Sequence, residues 1–101
     1  QLFLNYIENN YSDNISLDKL AKSANVSKSE CLRCFKKSLN TTPYKYLLEY
    51  RLAKAVKLLN SSNESISEIS LKVGFNQTSH FCKYFREKTG FSPLIYRKKA
   101  V

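Results

Sequence analysis

The side chains of this chain with the most chemistry to offer are cations set about one turn into two short basic segments. Arg33 stands in the run Lys28-Ser29-Glu30-Cys31-Leu32-Arg33-Cys34-Phe35-Lys36-Lys37, and Lys83 stands in Gln77-Thr78-Ser79-His80-Phe81-Cys82-Lys83-Tyr84-Phe85-Arg86-Glu87-Lys88. Wound as helices, the segments turn Cys31, Cys34 and Phe35 inward in the first case, and Phe81, Tyr84 and Phe85 in the second. Ser29, Leu32 and Arg33, then Thr78, Ser79, His80, Cys82 and Lys83, are left on or beside the outer face. An outward Arg in the first two turns of a helix lying in the major groove suits guanine, whose O6 and N7 accept two guanidinium N–H groups side by side. These eight residues are the candidate base contacts. Lys28, Lys36, Lys37, Gln77, Arg86, Lys88 and the more distant Arg97 are candidate phosphate contacts, aided by backbone N–H groups at helix N-termini.

Other chemistries fit the residues less well. Cys31-x-x-Cys34 is half the ligand set of a zinc site, but the only further candidates, His80 and Cys82, belong to the other half of the chain. Cys31 also fills the place that Phe81 takes in that other half, so the reading is core, with no metal and no cofactor. One His, two Gly, no Gly-rich phosphate loop and no carboxylate pair on a common face leave no catalytic constellation, and no enzyme is expected. Phe35, Phe75, Phe81, Phe85, Tyr46 and Tyr96 recur at core spacings, which reads as packing rather than base stacking. Glu30 has the chemistry to accept from cytosine N4, but its place three residues after Ser27 assigns it to a capping box.

The elements that must position the cations are written twice. Ser16-Leu17-x-x-Leu20-Ala21, Ser27-x-Ser29, Arg33-x-Phe35-Lys36 and Thr42-Pro43-x-x-Tyr46 return as Ser65-Ile66-x-x-Ile69-Ser70, Gly74-Phe75, Ser79-x-Phe81, Lys83-x-Phe85-Arg86 and Ser92-Pro93-x-x-Tyr96-Arg97. The offset is 49 residues before the turn and 50 after it, so the copies differ by one turn residue. Each copy reads as helix, short turn, basic helix. Capping serines at Ser16, Ser27 and Ser65, the second with Glu30 and the third with Glu68, and the cap–proline pairs Thr42-Pro43 and Ser92-Pro93 mark helix starts. A first helix over 2–11 and a long one from Pro43 to about Leu59 complete an all-α set of seven. The expected organisation is one domain over 1–101: a first unit at about 16–40, a linker helix at about 43–59, a second unit at about 65–90 and a last helix at about 93–99.

Charge points to the kind of partner. Seventeen Lys and Arg against eight Asp and Glu leave a formal +9, which suits a polyanion. An anionic membrane surface would use the same charge, but it does not account for two capped basic helices at a fixed offset. No apolar run approaches membrane-spanning length and no signal-peptide profile opens the chain. Three cysteines cannot all pair with one another, and reduced thiols in a cytosol are the simpler expectation.

The run Gly74-Phe75-x-x-x-Ser79-x-Phe81-x-x-x-Phe85-Arg86-x-x-x-Gly90-x-Ser92-Pro93-x-x-Tyr96-Arg97 resembles the signature of the AraC/XylS family of bacterial transcription regulators. Pro43-x-x-Tyr46-Leu47-x-x-x-Arg51-Leu52-x-x-Ala55-x-x-Leu58-Leu59 is similar to that family's linker helix. The resemblance implies two helix-turn-helix units, homeodomain-like, joined by a long helix, with recognition helices at Lys28 to Leu39 and Gln77 to Lys88 lying in the major groove of double-stranded DNA. It also implies a cytoplasmic regulator of bacterial transcription, with RNA polymerase as the partner of an activator. Relatives carry an effector-sensing or dimerisation domain for which there is no room ahead of Gln1, so such a domain is expected outside this chain. Two positions depart from the family pattern: Ser70 replaces an Ala, and Asn40 replaces a Gly after the first recognition helix. Asn tolerates the left-handed conformation next best to Gly.

Overall fold

The computed structural model describes residues 2–99. Among these residues there are seven helices and no strand: α1 (Leu2–Asn10), α2 (Leu17–Ser23), α3 (Lys28–Leu39), α4 (Pro43–Ser61), α5 (Ile66–Lys72), α6 (Thr78–Thr89) and α7 (Pro93–Lys99). They gather into two compact units, one ending at Tyr50 and the other beginning at Arg51, so that α4 supplies residues to both.

In the first unit, Phe3 and Ile7 of α1, Leu20 and Ala21 of α2, Cys31 and Phe35 of α3 and Leu47 of α4 form one buried core. Phe35 is the hub. Its ring lies 5.5 Å from that of Phe3 and 6.1 Å, edge-on, from that of Tyr46, an arrangement favoured by the ring quadrupoles. In the second unit Phe75, Phe81, Phe85 and Tyr96 make a chain of edge-on rings 5.2 to 5.7 Å apart, and Ile69, Val73, Ala55 and Leu59 of the same unit are buried. The Arg51 guanidinium, itself buried, sits 5.9 Å from the centre of the Phe75 ring.

The two turns that set the basic helices are built alike. After α2, Asn25 takes a left-handed φ of 56°, and the Val26 N–H donates to the Ala21 carbonyl. After α5, Gly74 takes a φ of 105°, and the Phe75 N–H donates to the carbonyl of Ser70, the counterpart of Ala21. The extra residue of the second copy falls after this shared hydrogen bond, ahead of α6. Both basic helices end in the same way, with Asn40 (φ 53°) and Gly90 (φ 85°) donating N–H to the carbonyls of Lys36 and Arg86.

Helix boundaries differ from the sequence reading by one or two residues. α1 ends at Asn10, α4 continues past Leu59 to Ser61, and α6 runs from Thr78 to Thr89 with Gln77 as its N-cap. At the end of this extension the Ser61 and Ser62 hydroxyls turn back to donate to the carbonyls of Lys57 and Leu58.

Candidate nucleic-acid interface

α3 begins at a Ser27 cap whose hydroxyl accepts the Glu30 N–H at 3.1 Å. The reciprocal half of the capping box expected from the sequence does not form. The Glu30 carboxylate instead forms an ion pair with Arg33, Oε2 lying 3.1 Å from Nη1, and accepts from the Cys34 thiol at 3.8 Å. In α5 the box does close: Ser65 Oγ accepts from the Glu68 N–H, and Glu68 Oε1 accepts from the Ser65 N–H at 3.0 Å. That second bond above all holds the Glu68 carboxyl below its ordinary range. The difference lies in competition, since Glu30 has a cation three residues ahead of it on α3.

With Cys31 and Phe35 buried, the opposite face of α3 presents Lys28, Ser29, Arg33, Lys36 and Lys37, all exposed, with Lys36 and Lys37 in the last turn. Leu32 is also exposed, but it borders an apolar cleft with Ile7, Ile15, Leu17 and Leu20, so part of its surface faces α1 and α2.

On α6 the burial of Phe81 and Phe85 leaves Ser79, His80, Lys83, Arg86 and Lys88 exposed, with Gln77 exposed just before the helix. The His80 ring stands edge-on to Phe75 at 5.3 Å, and the Lys88 ammonium lies 5.7 Å from the Tyr84 ring centre. Thr78 is half-buried: its hydroxyl lies 3.2 Å from that of Ser70 and 3.4 Å from that of Ser67. This ties the start of α6 to α5 and explains how a serine is tolerated at the fully buried position 70, for Ser70 Oγ also donates to the Ser67 carbonyl. Cys82 is half-buried as well, and burial pushes its thiol pKa up, which keeps it protonated and a weak donor.

Arg97 lies on α7 rather than on either basic helix. Its guanidinium donates to three backbone carbonyls, those of Glu64 at 2.7 Å, Leu59 at 3.2 Å and Ser62 at 3.2 Å, clamping α7 onto the loop between α4 and α5. Its donors are engaged in structure, which makes it the weakest of the phosphate candidates. Burial raises the Cys31 thiol pKa, with the neighbouring Cys34 adding to the shift, and Cys31 packs as a small apolar group. Among the described residues no three His, Cys, Asp or Glu side chains gather to hold a metal ion, and no helix is long and apolar enough to cross a membrane.

The sequence reading missed two things, the Glu30–Arg33 ion pair and the Arg97 clamp. The first had a signal, the i,i+3 spacing of opposite charges. The second joins residues 33 to 38 positions apart, and no local pattern announces such a contact.

A family model described as a helix-turn-helix domain matches residues 20–99. Over 95 residues the chain is 41% identical to the HTH-type transcriptional regulator YdeC of Bacillus subtilis, covering 94% of this chain and 33% of that protein. The chain therefore spans about a third of that relative's length. An AraC-type transcriptional regulator from Chromobacterium violaceum superposes with a TM-score of 0.92 at 33% identity, with 99% of this chain and 89% of that one covered. The DNA-binding domain of AdpA, solved in complex with a target DNA, superposes with a TM-score of 0.90 at 26% identity over 96% and 87% of the two chains. Two turn-linked helix pairs, each with a basic outer face, thus coincide with a shared sequence pattern and a shared fold: the chain belongs to the AraC-type helix-turn-helix family of transcription regulators, as a DNA-binding domain.

Proposed function

We propose that both units serve one DNA-binding domain, each laying its basic helix, α3 or α6, in a major groove of a specific duplex sequence. The observation that carries this reading is the repeated geometry: a buried aromatic anchor, Phe35 or Phe85, two residues beyond an exposed cation, Arg33 or Lys83. Base contacts fall to Arg33 and Ser29 on α3 and to Ser79, His80 and Lys83 on α6, with Leu32, Thr78 and Cys82 contributing surface more than hydrogen bonds. Phosphate contacts fall to Lys28, Lys36, Lys37, Gln77, Arg86 and Lys88. The full-length protein regulates bacterial transcription in the cytoplasm, with RNA polymerase as its partner when it activates and with an effector or dimerisation domain beyond this chain; the HTH-type regulators it resembles support this.

The test is selection of bound duplexes from a random pool. A reproducible sequence containing guanine at a position that Arg33→Ala relaxes is the expected result. Recovery of unenriched sequence would contradict the reading.

A further inference from the structure

Glu30 is a carboxylate in the middle of a basic, DNA-facing surface, where a negative charge opposes phosphate binding. Its geometry is well defined. Its N–H is held by the Ser27 hydroxyl, Oε1 accepts from the Cys34 thiol, and Oε2 faces Arg33 Nη1 at 3.1 Å. The two side chains are 42% and 70% exposed, so in water this pair adds little to stability. Its effect lies in the orientation of the guanidinium. Arg carries five N–H donors in one rigid plane; a carboxylate charge 3.1 Å from Nη1 draws that plane toward one side of the helix and leaves the other donors free for the paired acceptors of guanine. When a duplex displaces water from this surface, the pair strengthens.

We infer that Glu30 is a positioning residue that sets the guanine specificity of Arg33, an inference that rests on the DNA-reading function proposed above. The second copy supplies the contrast. The residue three before Lys83 is His80, whose ring packs against Phe75, and no carboxylate stands there to orient Lys83. A lysine ammonium is in any case a compact point charge without a plane to fix. Guanine preference is therefore concentrated in the half-site read by α3.

The experiment measures binding of wild type, Glu30→Gln, Glu30→Ala, Arg33→Ala and the Glu30→Gln/Arg33→Ala double variant to the selected duplex. It repeats the measurement on duplexes changed at the base pair where Arg33→Ala relaxes preference. Glu30→Gln should lower discrimination at that pair by about 3- to 10-fold, Glu30→Ala by at least as much, and Glu30→Gln should add nothing once Arg33 is gone. Melting temperature and preference at other base pairs should stay near wild type. A Glu30→Gln protein that binds every duplex more tightly with discrimination intact would show a merely repulsive charge and overturn the inference, as would an equal loss in the Arg33→Ala background. Wild type binding all duplexes equally would overturn the DNA-reading function and this inference with it.

Discussion

Arg33 and Lys83 hold matched places in the two copies, yet they differ in chemistry and in their neighbours, and their contributions should differ accordingly. Arg33→Ala is expected to cost about 1–3 kcal/mol on the preferred duplex and to relax preference at one or two base pairs. Lys83→Ala should lower affinity with a smaller change in preference, because an ammonium offers no bidentate fork. Lys36, exposed in the last turn of α3, is proposed above as a phosphate contact. Lys36→Ala should leave the melting temperature nearly unchanged, weaken all duplexes alike and reduce the salt slope by about one phosphate contact. Competitive binding on cognate and altered duplexes at two salt concentrations separates these outcomes; a change in preference without a change in overall affinity would contradict the phosphate assignment of Lys36.

At the scale of elements, the basic helices stay in place through their inner faces and their ends. Phe85 is fully buried among Phe81 and Tyr96, so Phe85→Ala should destabilise by about 3–5 kcal/mol in denaturant unfolding. Ser65→Ala removes an N-cap and should cost roughly 0.5–2 kcal/mol. The capping box also predicts a pH effect. The Glu68 carboxyl titrates below its ordinary range when folded, chiefly through the Ser65 N–H, so its stabilising contribution is complete at neutral pH and fades as pH falls through the carboxylate range. Glu68→Gln should therefore lose less melting temperature than wild type on acidification from about pH 7 to about pH 3. Much of this scaffold was legible in the sequence because its signals are local. Capping serines, cap–proline pairs and the 49- and 50-residue offsets mark helices whose starts the structure places within a residue. The contacts that sequence did not disclose are of two kinds. At Glu30 two partners at the same spacing compete, the Ser27 backbone on one side and Arg33 on the other, and spacing alone cannot choose between them. At Arg97 the three carbonyl partners come together only through folding, so the sequence offers the phosphate reading of this arginine but gives no sign of the clamp. Thr78 is a milder case of the same kind, its hydroxyl drawn to Ser70 across the turn.

For the whole molecule, the formal +9 makes attraction to any polyanion certain in kind and leaves specificity as the quantity that distinguishes a reader of sequence from a nonspecific cation. Phosphate contacts from exposed lysines and arginines on both α3 and α6 should make binding fall steeply with salt, whereas base contacts should set a gap between duplexes that salt does little to close. The decisive measurement is a salt titration of the wild-type chain on its selected duplex and on a scrambled duplex of the same composition. Two parallel steep lines separated by about a thousandfold or more in affinity are the expected result. Coincident lines across the titration would contradict sequence-specific readout and leave only nonspecific attraction between a basic surface and nucleic acid.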